Sequence, residues 1–240
     1  MAFAWQHGAM EIVGSEPPSS SQIRERHDRL LVRLRITAEA NGHDPARLRI
    51  VAVTKTWPVE VAQAAHDAGL TLLGESRVQE AEPKIAALPT VEWHFIGRLQ
   101  SNKARRAVRG FAVIHSVDSI DLLRRISEIA TEEGRSPRLL LQVNISGEEA
   151  KGGLSPDELV AQALPAASLV GLMTIAPMGA SVEQARSIFG RLRDLRDRVQ
   201  HAVGIGLPEL SMGMSADAEA AAAEGATLIR IGTALFGPRA

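Results

Sequence analysis

Eight short runs rich in branched apolar residues recur along the whole chain, separated by longer stretches of helical periodicity. The runs are residues 49–55 (RIVAVTK), 71–76 (TLLGES), 93–97 (WHFIG), 111–117 (FAVIHSV), 138–144 (RLLLQVN), 168–174 (SLVGLMT), 209–213 (ELSMG) and 227–232 (TLIRIG). Several are continuous apolar stretches, the pattern of parallel strands covered on both faces. Eight strands, each followed by a connection long enough for a right-handed crossover, predict an α/β fold: a single (β/α)8 barrel of the TIM type. A doubly wound open sheet is the alternative. The first strand–helix turn, residues 54–58 (TKTWP), lacks the glycine-rich fingerprint such a sheet would bring to a dinucleotide. No linker divides the 240 residues, so one barrel domain is expected over residues 21–240, after a flexible arm at residues 1–20.

Helix signals fill the intervals. Residues 58–68 open with Pro58 in the first turn and stop at Gly69. Residues 181–201 place Val182, Ala185, Ile188, Phe189, Leu192, Leu195 and Val199 on one stripe. Ser155 followed by Pro156 opens another helix, and Ser215 is expected to cap residues 216–224, closed by Gly225. An extra helix over about residues 21–40 precedes the first strand.

Composition narrows the chemistry. There are no cysteines, which excludes disulfides, thiolate metal sites and a cysteine nucleophile. Lys and Arg total 27 against 28 for Asp and Glu, a balance that gives no electrostatic reason to expect nucleic acid or an anionic membrane. No run of apolar residues is long enough to span a bilayer, and residues 1–20 lack the basic leader and apolar core of a secretory signal, so a cytoplasmic monomer is the expectation. The seven histidines show no metal-ligand spacing. Arg98, Lys103, Arg105, Arg106 and Arg109 form an acid-free basic stretch that reads as a solvated helix face.

In barrels of this kind, chemistry gathers at the carboxyl ends of the strands. Lys55 closes an otherwise apolar first strand, where partial desolvation raises the neutral-amine fraction available to attack an aldehyde. A lysine there also reads as one snorkelling to solvent. The seventh strand runs into a small glycine-containing loop, residues 211–215 (SMGMS), and Gly232 and Thr233 follow the eighth. Loops after strands seven and eight are where such barrels hold phosphate. Together they describe a ligand with an aldehyde at one end and a phosphate at the other, which fits pyridoxal 5′-phosphate or a sugar phosphate. His94 on the third strand reads either as a pocket residue or as a hydrogen-bonded core histidine.

Six motifs in order carry a more specific resemblance. They are 51–55 (VAVTK), 93–103 (WHFIGRLQSNK), 142–148 (QVNISGE) with 151–153 (KGG), 171–177 (GLMTIAP), 210–215 (LSMGMS) and 230–237 (RIGTALFG). From about Ser21 to Arg239 the sequence resembles the pyridoxal phosphate homeostasis proteins, single-domain relatives of the alanine racemase barrel. The resemblance implies vitamin B6 in the form of pyridoxal 5′-phosphate (PLP), held covalently on Lys55 as a Schiff base. It implies that Ser211, Ser215, Gly232 and Thr233 surround the phosphate and that Arg230 stands near the pyridine nitrogen. Ser76, His94 and Met212 complete the expected cofactor-binding set. At 74–80 (GESRVQE), Ser76 replaces the asparagine usual in the family, and Arg98 stands where proline is common.

The implied role is storage and delivery of the cofactor, with apo pyridoxal enzymes as acceptors and no nucleic-acid or membrane partner. Arg230 cannot accept a proton, so it cannot keep the ring nitrogen protonated as an acid would. The chain also has no tyrosine, the residue that serves as opposite-face base in racemases of this barrel type. A low-activity amino-acid racemase and a lysine Schiff-base aldolase are the alternatives.

Overall fold

The computed structural model describes residues 17–148, 152–161 and 168–238. All eight runs form strands: β1 (Arg49–Val53), β2 (Leu72–Glu75), β3 (Glu92–Phe95), β4 (Val113–Val117), β5 (Arg138–Gln142), β6 (Leu169–Met173), β7 (Glu209–Ser211) and β8 (Leu228–Ile231). Each pairs in parallel with its neighbours in sequence, and β8 pairs with β1, so the sheet closes into a barrel. The connecting helices are α2 (Val59–Asp67), α3 (Val78–Ala87), α4 (Ala104–Gly110), α5 (Ile120–Glu132), α6 (Pro156–Ala161), α7 (Val182–Val203), α8 (Ala218–Ala223) and α9 (Thr233–Phe236). The extra helix α1 (Ser20–Ala40) packs against α2, α8 and α9.

Alternation along the strands sorts the interior into two cores. Ile50 and Ala52 of β1, Trp93 and Phe95 of β3, Leu210 of β7, and Ile229 and Ile231 of β8 face outward into the large core covered by the helices. Val51, Val113, Leu140, Met173 and Leu228 form a small cluster inside the barrel. The same period of two sends His94, His115, Ser211 and Arg230 inward, and all four are buried. The helices follow their sequence signals. Ser181 and Gln184 form a reciprocal capping box at the start of α7, which ends at Gly204 with φ 73°.

Three local expectations change. Ser19 and Gln22 form a capping box, so the helix starts at Ser20, one residue earlier than expected; residues 1–16 of the expected arm lie outside the described residues. Pro58 is the N-cap of α2 and lies just before its first turn. Ser215 does not cap α8: residues 215–217 form a turn in which the Asp217 carboxylate accepts the Met214 N–H at 2.6 Å, and the helix starts at Ala218. The Ser215 hydroxyl instead accepts the Ala234 N–H.

Candidate functional site

The turn after β1 is held from beneath. Thr54 donates its hydroxyl to Glu75 Oε1 at 2.7 Å, and Lys84 Nζ donates to the Thr54 carbonyl at 2.8 Å and to Glu75 Oε1 at 2.6 Å. These three groups lie between the barrel and α3, so Lys55, the next residue, falls on the mouth side, where it is half-buried. Thr56 follows with φ 66°, a left-handed conformation that a β-branched residue disfavours, and its N–H donates to Glu80 at 3.3 Å. Lys84 was not singled out from the sequence as a site residue. The signal was its place in the buried stripe Val78, Ala81 and Lys84 of α3, where a lysine is out of keeping with its neighbours.

The loops after β7 and β8 meet at the mouth. Ser215 Oγ accepts the Ala234 N–H at 3.4 Å, and the Arg230 N–H donates to the Gly213 carbonyl at 3.1 Å. Gly213 has φ 88°, and a Cβ there would come within 2.4 Å of Ala221 Cβ, so the alanine surface of α8 lies directly against this loop. Ser215 and Thr233 are exposed beside the half-buried Gly232. Ser76 follows β2 directly and is half-buried, pressed by Gly97: a Cβ on Gly97 would sit 2.1 Å from the Ser76 carbonyl oxygen.

Deeper inside, five side chains from four strands form one line. Arg230 donates to Ser211 Oγ at 2.5 Å and to the Thr174 carbonyl at 3.0 Å. Ser211 Oγ lies 2.7 Å from His115 Nδ1, and His115 Nε2 lies 2.7 Å from His94 Nδ1. His94 Nε2 meets Glu92 Oε1 at 2.9 Å, and Arg138 pairs with the same carboxylate at 2.6 Å. Burial holds both imidazoles below their usual range, His115 furthest. The His94 hydrogen bond holds Glu92 down at about 2. Burial lowers Arg230 only to about 10, so it stays charged at neutral pH.

The geometry thus gathers Lys55, Ser76, Ser215, Gly232 and Thr233 around the carboxyl ends of the strands, with Arg230 in the barrel beneath. It does not bring three other candidates to the rim. The Ser211 hydroxyl is buried between Arg230 and His115. His94 is a hydrogen-bonded core histidine further down the same line. The Met212 side chain turns outward into the helix-covered core, and its N–H donates to the Leu228 carbonyl. Sequence reasoning missed His115 and Glu92. Their signals were a histidine inside an otherwise apolar strand and a glutamate two residues before His94, on the same face of β3.

The remaining polar features are explained locally. Arg105 pairs with Glu132 and Glu133, Arg106 with Glu82, and Arg109 with Glu133, so acids of adjacent helices neutralise the basic stretch. Arg98 projects from the rim, 3.9 Å from Asp118, beside a cavity of about 290 Å³ lined also by Gln142, Asn144 and Ile175. Among the described residues no cluster of His, Asp or Glu could hold a metal ion, and no helix is long and apolar enough to cross a membrane.

The chemistry of this donor set fits an aldehyde that also carries an anionic group: one half-buried amine, rim hydroxyls on facing loops, and a fixed cation below. The chain matches the alanine racemase N-terminal domain over residues 35–240. It is 41% identical over 222 residues to the pyridoxal phosphate homeostasis protein of Aquifex aeolicus, covering 90% of this chain and 97% of that one. It is 45% identical over 204 residues to the protein of that name from Synechocystis, covering 81% and 93%. Among solved structures it resembles PipY of Synechococcus elongatus with PLP bound, at 41% identity and a TM-score of 0.77, covering 90% of this chain and all (100%) of that one. Likeness of this extent over nearly the whole length of both partners places the chain in the pyridoxal phosphate homeostasis protein family.

Proposed function

We propose that this protein binds pyridoxal 5′-phosphate through Lys55 and stores and releases it, rather than using it to turn over amino acids. Lys55 supplies the amine that would hold the aldehyde. Ser215, Gly232 and Thr233 would hold the phosphate, Arg230 would face the ring nitrogen, and Ser76 would border the ring. When bound, the cofactor supplies an electrophilic carbon and an electron-withdrawing ring.

The observation that carries the carrier reading is the state of Arg230. Its guanidinium is buried, committed to Ser211 and the Thr174 carbonyl, and still charged at neutral pH. A fixed cation donates hydrogen bonds and takes no proton, so it leaves a ring nitrogen unprotonated and the electron sink weak. The absence of tyrosine removes the opposite-face base as well. Apo pyridoxal enzymes are the acceptors this reading calls for.

The test is borohydride reduction of protein loaded with PLP, followed by peptide mass spectrometry, alongside α-proton exchange of alanine. The pyridoxyl group is expected on Lys55, with exchange near the rate of free cofactor and measurable transfer to an apo-enzyme. An adduct found chiefly on Lys84 or Lys103 overturns the assignment. Exchange far above free cofactor that vanishes in Lys55→Ala overturns the carrier role in favour of a racemase.

A further inference from the structure

The line from Arg230 to Glu92 has a direction, and it follows from what each group can donate. Arginine has only donors, so Ser211 Oγ must accept from it. The single hydroxyl hydrogen of Ser211 is then available for His115 Nδ1. A neutral His115 with Nδ1 accepting carries its hydrogen on Nε2 and donates it to His94 Nδ1. His94 in turn carries its hydrogen on Nε2 and donates to the Glu92 carboxylate, which is acceptor-only. Four consecutive hydrogen bonds therefore point one way, from a buried cation to an anion. An added proton on either imidazole would reverse the His115–Ser211 bond and turn the serine hydrogen out of the line. Burial disfavours such a charge on both rings.

The far end lies at the opposite end of the barrel from Lys55. Glu92 and Arg138 line a cavity of about 580 Å³ there, together with Trp93, Arg109 and Arg135. We propose that Glu92, His94 and His115 are positioning residues for Arg230, so that the carboxylate at the amino end of the barrel fixes the guanidinium beneath its mouth. Only the cofactor consequence rests on the reading of Arg230 as the partner of the ring nitrogen; the fixing of Arg230 stands on the chain's own hydrogen bonds.

The experiment reads the cofactor-free, full-length chain by nitrogen–proton NMR. Both His94 and His115 are expected to be neutral and protonated at Nε2, and the Nη hydrogens of Arg230 to give resolved signals from a guanidinium that rotates slowly. His115→Asn should speed that rotation about tenfold, the effect of losing one hydrogen bond. Glu92→Gln, which keeps an acceptor but removes the charge, should speed it by a smaller factor. Glu209→Gln is the control: this acid sits at the same end of the barrel but bonds Arg49 and Thr227, off the line, and should change nothing.

A second arm measures PLP affinity and the visible absorbance of loaded protein. Glu92→Gln should weaken retention several-fold and move the absorbance, with the Lys55 adduct intact. Nδ1-protonated histidines in the wild type, or Arg230 rotation equal in Glu92→Gln and Glu209→Gln, would overturn the proposal. Failure of wild-type protein to take up PLP defeats the carrier reading, yet the NMR arm still decides the positioning role. If His115→Asn does not fold, Glu92→Gln at the outer end carries the test.

Discussion

Glu75 and Glu92 lie on adjacent strands of one barrel and meet burial in opposite ways. Glu75 faces outward against α3 and is fully enclosed, with Lys84 and Thr54 both on Oε1 and no hydrogen-bond partner on Oε2 among the described residues. Glu92 faces inward, keeps about a third of its side chain exposed (35%), and shares its charge between Arg138 and the histidine line. Desolvation raises the first carboxyl above its ordinary value, whereas hydrogen bonding holds the second well below it. The difference teaches that orientation on the strand decides whether an acid is a closed local clamp or the end of a long polar connection.

The clamp should break hardest. Lys84→Met leaves Glu75 buried without its cation and is expected to cost about 3–5 kcal/mol in urea unfolding, whereas adding Glu75→Leu should recover most of it. A loss below about 1 kcal/mol would show that Glu75 is already neutral in the native state.

The two acids should also give opposite pH limbs. The native state holds a proton on Glu75 more tightly than the unfolded chain does, so its contribution improves as pH falls from its raised value towards 4.5. Glu92 is held at about 2, so its contribution is full above 4.5 and is lost as pH falls from there towards 2. Stability measured against pH should therefore fall less steeply below 4.5 in Glu92→Gln, and lose the opposing contribution above 4.5 in Glu75→Gln. Neither slope change should exceed about 1.4 kcal/mol per pH unit, the value of one proton. A limb that moves the same way in both variants would erase the contrast.

The smallest effect is expected at Arg138. Its bond to Glu92 joins two part-exposed groups, and His94 keeps its own hold on the carboxylate, so Arg138→Met should cost no more than about 1 kcal/mol. A larger loss in thermal or urea unfolding would make Arg138, rather than the histidine line, the main support of Glu92.

Strand positions were legible because they rest on local pattern: each of the eight runs contains most or all of a strand, and the ends differ by one or two residues. That Lys55 and the loops after β7 and β8 lie at the mouth was legible for a related reason, since it follows from where the strands end. The interior line was not. Ser211 and His115 stand 96 positions apart, and only closure of the barrel sets them 2.7 Å from each other. For the same reason Ser211 read as a rim hydroxyl, although it sits a layer lower. Met212 failed on parity, because the alternation that sends Ser211 inward sends its neighbour out. Ser215 failed as a cap because residues 215–217 turn before the helix begins, and its hydroxyl takes the Ala234 N–H from the loop after β8.

The left-handed Thr56 has a mechanical consequence for the residue before it. A β-branched residue in that conformation costs on the order of 1–3 kcal/mol, which the surrounding structure must outweigh. What outweighs it includes Glu80 on the Thr56 N–H and Lys84 on the Thr54 carbonyl, both from α3, so one helix keeps the spring compressed. The backbone on both sides of Lys55 thus owes its conformation to two side chains of a single helix, Glu80 and Lys84.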